Sequence, residues 1–245
     1  MVLNQAPGRN DTEYHQRVEP ILRSYASPGT QVDLCYPDGP PTRFGGEGGS
    51  HMGFYASIPA LVDKAVWAEK NGYDAVIQSN NFEPGVEASR LAVRIPVLGL
   101  CQTTMLAAAN FADRIGVTVP LDGYFVLARR LLQAHGVDRF VADLRTMSLD
   151  AVPNGDEVAR QRPIIFKRAV EVMRALVREA GAECIVPLGG AIIPYIVDPK
   201  DLEPEVGAPV LNPKSVGIRT AEMCVSLGIT HSPLTYPLAT RPSNA

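Results

Sequence analysis

The stretch Gly72-Tyr-Asp-Ala-Val-Ile-Gln-Ser-Asn-Asn81 places a short apolar run between a glycine and a pair of asparagines. The stretch Gly181-Ala-Glu-Cys-Ile-Val-Pro-Leu-Gly-Gly190 repeats this design, and a Pro-Val-Leu segment follows each of the two. Short apolar runs that end in turn residues are typical of buried strands in parallel sheets. Two similar units predict two pseudo-symmetric lobes, with a ligand cleft where the carboxyl ends of their strands meet.

Short apolar runs and amphipathic stretches alternate on both sides of these two units. Such alternation predicts an α/β fold with parallel sheets flanked by helices. One helix is expected around Ile58–Val66, ending near Gly72, and another is expected to open at Pro163 and close at Gly181. The expected strands are Met1–Asn4, Gln31–Tyr36, Tyr73–Ser79, Val97–Leu100, Ile115–Val119, Arg139–Ala142, Glu183–Leu188 and Val210–Leu211. Residues 1–117 plus 213–245 are predicted to form lobe one, and residues 118–212 lobe two.

Composition excludes several classes of function. The 245 residues carry 26 acids against 23 bases, a formal charge of −3, so nothing favours binding to nucleic acid. The apolar runs are too short to span a bilayer, and the N-terminus lacks the pattern of a signal peptide, so a cytoplasmic protein is expected. The four cysteines are far apart in sequence, which predicts neither a metal site nor a disulfide framework.

Four segments in the right order resemble the aspartate/glutamate racemase superfamily, most closely its hydantoin racemase, maleate isomerase and arylmalonate decarboxylase branch. They are Met1–Asn4, Ser27–Val32, Asp74–Gly85 and Glu183–Ala191. The resemblance implies a cofactor-independent enzyme that acts on a small carboxylate or a cyclic imide-like substrate. In the family, one thiolate removes a proton from an acidic carbon and a thiol on the opposite face returns it. Dimerisation is common in the family, so a homo-oligomer is a further implication.

The sequence departs from this pattern at both thiol positions. Alignment without gaps puts Asn80 at the first cysteine position and Gly189 at the second, or Leu188 after a shift of one residue. None of these side chains is a base near neutral pH. Racemisation by two cysteines is therefore not expected, although the resemblance in fold remains.

Three other residues are candidates for the catalytic role. Cys101 follows a predicted strand at the start of a helix, where a thiol pKa can be lowered, although a packed core thiol fits the same position. Glu83 and Lys214 are candidate bases, and Lys214 could instead bind a carboxylate or be solvated. His51, which follows the segment Pro37–Gly49 that is rich in proline and glycine, is a weaker candidate base.

Polar groups at the predicted strand ends are candidates for substrate binding. The resemblance supports this role for Asn4, Asn80, Thr118 and Tyr124. Asn81 ends the same predicted strand as Asn80, so its amide could also face the cleft, and Gly190 could offer backbone amides at the start of a helix at Ala191. Simple turn formation explains the asparagines and glycines equally well, and Tyr124 could merely pack.

Taken together, the residues predict an isomerase, decarboxylase or hydrolase that needs no pair of thiols. Two alternatives remain open: a non-catalytic protein that binds small anions on the same fold, and a one-cysteine lyase that uses Cys101.

Overall fold

A computed structural model of the chain describes residues 1–3, 12–38, 49–153 and 155–239. Seven strands are present in this part of the chain: β1 (Val2–Leu3), β2 (Leu34–Cys35), β3 (Val76–Gln78), β4 (Val97–Gly99), β5 (Ile115–Val119), β6 (Val141–Thr146) and β7 (Cys184–Pro187). The α-helices are α1 (Thr12–Ser24), α2 (Gly49–Lys70), α3 (Val86–Arg90), α4 (Leu100–Ala108), α5 (Phe125–Ala134), α6 (Glu157–Ala180), α7 (Pro199–Val206) and α8 (Pro213–Leu227).

The strands form two sheets, and every pairing within them is parallel. The first sheet has the order β2-β1-β3-β4 and the second has the order β6-β5-β7. Val210 extends the second sheet by an isolated parallel bridge to Ile185. All residues of β3, β4, β5 and β7 are buried, because helices cover both faces of a parallel sheet. The predicted α/β fold with parallel sheets is confirmed.

Helix α8 returns from the second sheet to the first. It contacts α4, β3 and β4, whereas α6 contacts β5, β6 and α7. The C-terminal helix, which was predicted to belong to lobe one, thus packs on the first sheet. The predicted boundary at residues 117 and 118 falls inside β5, however, and all of β5 pairs within the second sheet. All of β5 thus belongs to the second sheet, and the division of the chain into two lobes stays a prediction.

Seven of the eight expected strands are present, most of them shorter than the apolar runs that predicted them, whereas the segment expected at Val210–Leu211 contributes only the isolated bridge at Val210. The strand expected at Arg139 begins only at Val141 and continues to Thr146, because a 3₁₀ turn occupies Asp138–Phe140. Helix α2 ends at Lys70, just before Gly72 in a left-handed conformation, as expected.

The prediction that Pro163 opens a helix is wrong. Helix α6 begins at Glu157, so Pro163 lies inside it. A proline in this position removes one backbone hydrogen bond, yet tertiary contacts hold the turn around it. Arg162 donates to the Ile196 carbonyl at 3.2 Å and pairs with Asp201 at 2.9 Å. The predicted end at Gly181, with φ of 65°, is confirmed.

None of the helices in the described ranges is both long enough and apolar enough to cross a bilayer.

Candidate functional site

The carboxyl ends of β3 and β7 come into contact through the turns that follow them. The side-chain amide of Asn81 donates to the Pro187 carbonyl at 3.2 Å, which joins the two sheets. A Cβ atom on Gly190 would lie 2.6 Å from Asn81 Oδ1 and 2.7 Å from Lys214 Nζ. The two turns singled out in the sequence, with the start of α8, therefore form one buried polar cluster.

Asn80, at the position of the first family cysteine, forms hydrogen bonds within its own turn. Its Oδ1 accepts from the Phe82 amide at 2.7 Å, and its backbone amide donates to Gln78 Oε1 at 3.1 Å. This is the Asx-type turn that asparagine favours locally. The side chain is only half-buried, so a contact with substrate remains compatible with the turn.

Gly189, at the position of the second family cysteine, has a backbone that excludes a side chain. Its φ is +93°, and an added Cβ would lie 2.4 Å from Cδ of Pro120. A non-glycine residue rarely adopts such a φ, and the Pro120 ring leaves no room for a Cβ. The neighbouring Leu188 is 2% exposed and belongs to the apolar core. Neither residue can present a thiol or any other base.

Gly190 does not begin a helix, contrary to expectation. Residues 190–196 form a series of turns, and the next helix starts at Pro199. Gly190 instead allows the close approach of Asn81 and Lys214, because any side chain there would overlap both.

Asn81 and Thr118 are fully buried, with polar atoms left over. Asn81 Oδ1 and Thr118 Oγ1 have no hydrogen-bond partner among the described residues. Thr118 pairs in register with Pro187, the residue whose carbonyl receives the Asn81 amide. Buried polar atoms without partners are costly, so these two groups, one after β3 and one near the end of β5, are candidates for contact with a ligand.

Lys214 is placed in the cluster by the start of α8. Asn212 caps this helix by accepting from the amides of Lys214 and Ser215, at 3.0 and 3.3 Å. The ammonium is 2% exposed and donates to the carbonyl of Ser79 and, at 3.2 Å, to its hydroxyl. Burial lowers the pKa of Lys214 to about 7. Its Nζ also lies 5.4 Å from the centre of the Tyr195 ring.

Glu83 is buried, but its carboxylate is already bound. One oxygen accepts from the Gln102 amide at 2.8 Å, at the start of α4, and the other lies 2.7 Å from His135 Nε2 on the end of α5. A side chain on Gly99 would collide with this carboxylate. Glu83 also has a positive φ of 58°, so it fixes the turn after β3 instead of facing a substrate. The structure does not favour it as a base.

Cys101 begins a helix as predicted, but its thiol lies in the apolar core. It is fully buried among residues such as Met105 and Val117. Burial and then the charge of Glu83 raise the pKa of Cys101 well above its usual value. The expectation of an activated thiol at a helix N-terminus therefore does not hold. Burial likewise raises the pKa of Cys35, Cys184 (to about 11) and Cys224.

The remaining predicted groups lie at the edge of the cluster or outside the described residues. Tyr124 is half-buried in an aromatic group, with its ring centre 4.9 Å from that of Phe82 and 6.1 Å from that of Phe54. His51 Nε2 lies 2.8 Å from the Gly123 carbonyl. Asn4 falls outside the described residues.

Sequence reasoning missed Ser79, His135 and Tyr195. Ser79 directly precedes Asn80, so its position at a strand end was a signal that could have found it. The other two approach from distant segments and carry no local signal. Within the described ranges, no group of three His, Cys, Asp or Glu residues could hold a metal ion.

Comparisons with known proteins identify the family of this chain. A family model described as Asp/Glu/hydantoin racemase matches residues 12–221. Hydantoin racemase from Pseudomonas sp. (strain NS671) is 29% identical over 217 residues, 86% of this chain and 80% of that protein. Hydantoin racemase from Rhizobium meliloti is 26% identical over 203 residues, 83% of this chain and 80% of that protein. Allantoin racemase from Pseudomonas fluorescens shares the fold, with a TM-score of 0.82 at 24% identity and coverage of 100% of this chain and 97% of that one. Since the family model spans most of its length, the chain belongs to the Asp/Glu/hydantoin racemase family.

Proposed function

We propose that this protein is a cofactor-independent enzyme that acts on a small carboxylate or a cyclic imide-like substrate without a pair of thiols. The reaction would be an isomerisation, a decarboxylation or a hydrolysis. Similarity to two hydantoin racemases supports the substrate class. The observation that carries the proposal is Gly189, whose φ of +93° and contact with Pro120 exclude a thiol at the second catalytic position.

The groups at the strand ends suit a reaction that develops negative charge next to a carbonyl. Thr118 offers a buried hydroxyl without a partner and Lys214 offers a buried amine, and both groups can donate, whereas the unpaired atom of Asn81, Oδ1, is an acceptor. Hydrogen-bond donors held in place before the reaction stabilise an enolate or oxyanion more than water does. Of the predicted bases, Lys214 reaches both strand ends, since its amine donates to Ser79 after β3 and lies beside Gly190 after β7. The carboxylate of Glu83, in contrast, is bound by Gln102 and His135.

Incubation in heavy water tests the proposal. The purified protein is mixed with a panel of hydantoins, malonates and maleate, and proton NMR follows deuterium incorporation and product formation. We expect catalysed exchange or product with at least one member of the panel. A protein that is stabilised by a panel member, yet produces neither exchange nor product, would contradict an enzymatic function.

That second outcome corresponds to an alternative function, a non-catalytic protein that binds small anions. The buried amine of Lys214, which has no acidic partner among the described residues, favours this alternative. A one-cysteine lyase that uses Cys101 is disfavoured, because the thiol is fully buried and its pKa is raised.

A further inference from the structure

We propose that Lys214 and Asn81 bind a small anion that also carries an N–H group, such as the carboxylate of an N-acyl or N-carbamoyl amino acid. This inference rests on the proposed function, since it assigns the substrate class of the same site.

The need for an anion follows from the surroundings of Lys214. Its side chain is 2% exposed, and no carboxylate of a described residue forms an ion pair with it. Two of its three N–H groups are directed to Ser79, which leaves one for a ligand. Burial without an acidic partner disfavours the ammonium form in the free protein, and a bound anion would stabilise that form.

The need for an N–H group follows from Asn81. Its Nδ2 donates to Pro187, whereas its Oδ1 is fully buried and has no donor among the described residues. Oδ1 is an acceptor, so it is satisfied by a donor on the ligand and not by a carboxylate. Asn81 Oδ1 and Lys214 Nζ lie 2.6 and 2.7 Å from the same point, the Cβ position of Gly190, so the two atoms are close enough together for one small ligand to contact both, although no ligand atom fits at that point itself.

The neighbouring titratable groups leave the charge of Lys214 uncompensated. Elements α4, β3 and β4 pack against α8, and Cys101 is the titratable residue they contribute. Burial raises the pKa of Cys101 and of Tyr195 well above their usual values, so both are neutral. The Tyr25 hydroxyl, near Asn212, also has a raised pKa owing to burial. Glu83 is bound by Gln102 and His135.

Binding of an anion should therefore be coupled to proton uptake. Burial holds the pKa of Lys214 at about 7, so most of the amine is neutral at pH 8 in the free protein. An anion favours the ammonium form, and the complex should gain about one proton at pH 8. For the same reason, affinity should fall about tenfold for each pH unit above 7.

Calorimetric titration with N-acetylglycine and N-carbamoylglycine tests the inference on the wild-type protein. Titrations at pH 8 in two buffers with different ionisation enthalpies measure proton uptake. N-acetylglycinamide lacks the charge and N-acetylsarcosine lacks the N–H group, so both should bind at least tenfold more weakly than N-acetylglycine. Equal affinity for the acid and its amide, or binding without proton uptake, would overturn the inference.

Two lysine variants form a matched pair for the same titration. Lys214→Met should lose proton uptake and at least tenfold in affinity at pH 6.5, whereas Lys167→Met, at an exposed position of α6, should bind as the wild type does. Unchanged affinity in Lys214→Met overturns the inference. Turnover of hydantoins without binding of either anion also overturns it, while the proposed function stands. Binding with proton uptake but without turnover of any panel member supports it, while the proposed function fails.

Discussion

At the scale of single residues, two glycines determine how closely the turns after β3 and β7 pack against their neighbours. Gly189 adopts φ of +93° against the Pro120 ring, and Gly190 lets Asn81 and Lys214 approach each other. Both strand ends are therefore closed to a new side chain at these positions. The amine of Lys214 occupies the space that a larger residue at position 190 would need.

Substitution of Gly189 should be much more costly than substitution of a glycine with the same kind of backbone in open space. We expect Gly189→Ala to lower the free energy of unfolding by about 2–4 kcal/mol, through strained φ and overlap with Pro120. Gly207→Ala isolates the first cause, since Gly207 has φ of +78° and nothing within 4 Å of the added Cβ. That control should lose about 1 kcal/mol. Urea unfolding measures the stability of both variants. Equal losses in the free energy of unfolding would show that overlap with Pro120 does not add to the cost of the strained φ.

At the scale of elements, the segment after α8 is attached to the edge of the first sheet. His231 Nε2 accepts from the amide of Val97 in β4 at 2.6 Å, so its ring is neutral there. Burial, followed by the charges of Arg90 and Arg94, lowers the pKa of His231 to about 4. The Tyr236 hydroxyl interacts with Arg90 at 3.1 Å, which adds a second attachment.

Acid should weaken this attachment. The unfolded chain takes up a proton on His231 below pH 6.5, whereas the folded protein does so only below about pH 4. The free energy of unfolding should therefore fall as pH decreases from 6.5 to 4, by about 2 kcal/mol at most for a half-buried ring.

Urea unfolding of His231→Gln at pH 7 and pH 5 checks this pH dependence. The variant should be less stable than the wild type at pH 7 by about 1 kcal/mol, and it should lose less stability on acidification. His15→Gln, on the surface of α1, should retain the pH dependence of the wild type. If His231→Gln loses as much stability between the two pH values as the wild type does, the attachment is not controlled by this histidine.

At the scale of the whole molecule, two contacts connect the parallel sheets across the site. Asn81 reaches Pro187 from the turn after β3, and Glu83 in the same turn meets His135 at the end of α5. The turn after β3 therefore contains Asn81, a candidate ligand-binding residue, and Glu83, which connects the turn to the end of α5. Both contacts join residues from the two halves of the chain.

The sequence was sufficient to predict the parts of this arrangement that depend on local pattern. Buried apolar runs marked β3, β5 and β7, and the absence of thiols at positions 80 and 189 could be read directly. Tertiary contacts were not predictable in the same way. The pairing of Lys214 with Ser79 joins residues 135 positions apart, and the burial that raises the pKa of Cys101 depends on how α4 packs. The helix through Pro163 is held by contacts of Arg162 that no local pattern predicts.

The central claim is that catalysis in this cleft needs no thiol, and a cysteine-free protein tests it most directly. Cys35, Cys101, Cys184 and Cys224 are all changed to Ala, circular dichroism verifies the fold, and deuterium exchange is measured with the panel member that the wild type turns over. Loss of a catalytic acid or base typically lowers the rate by about 10²–10⁴-fold. We predict that the cysteine-free protein retains activity within about tenfold of the wild type, a difference of about 1.4 kcal/mol in the barrier. A folded variant that is more than about a hundredfold slower would show that a thiol takes part, and would contradict the account.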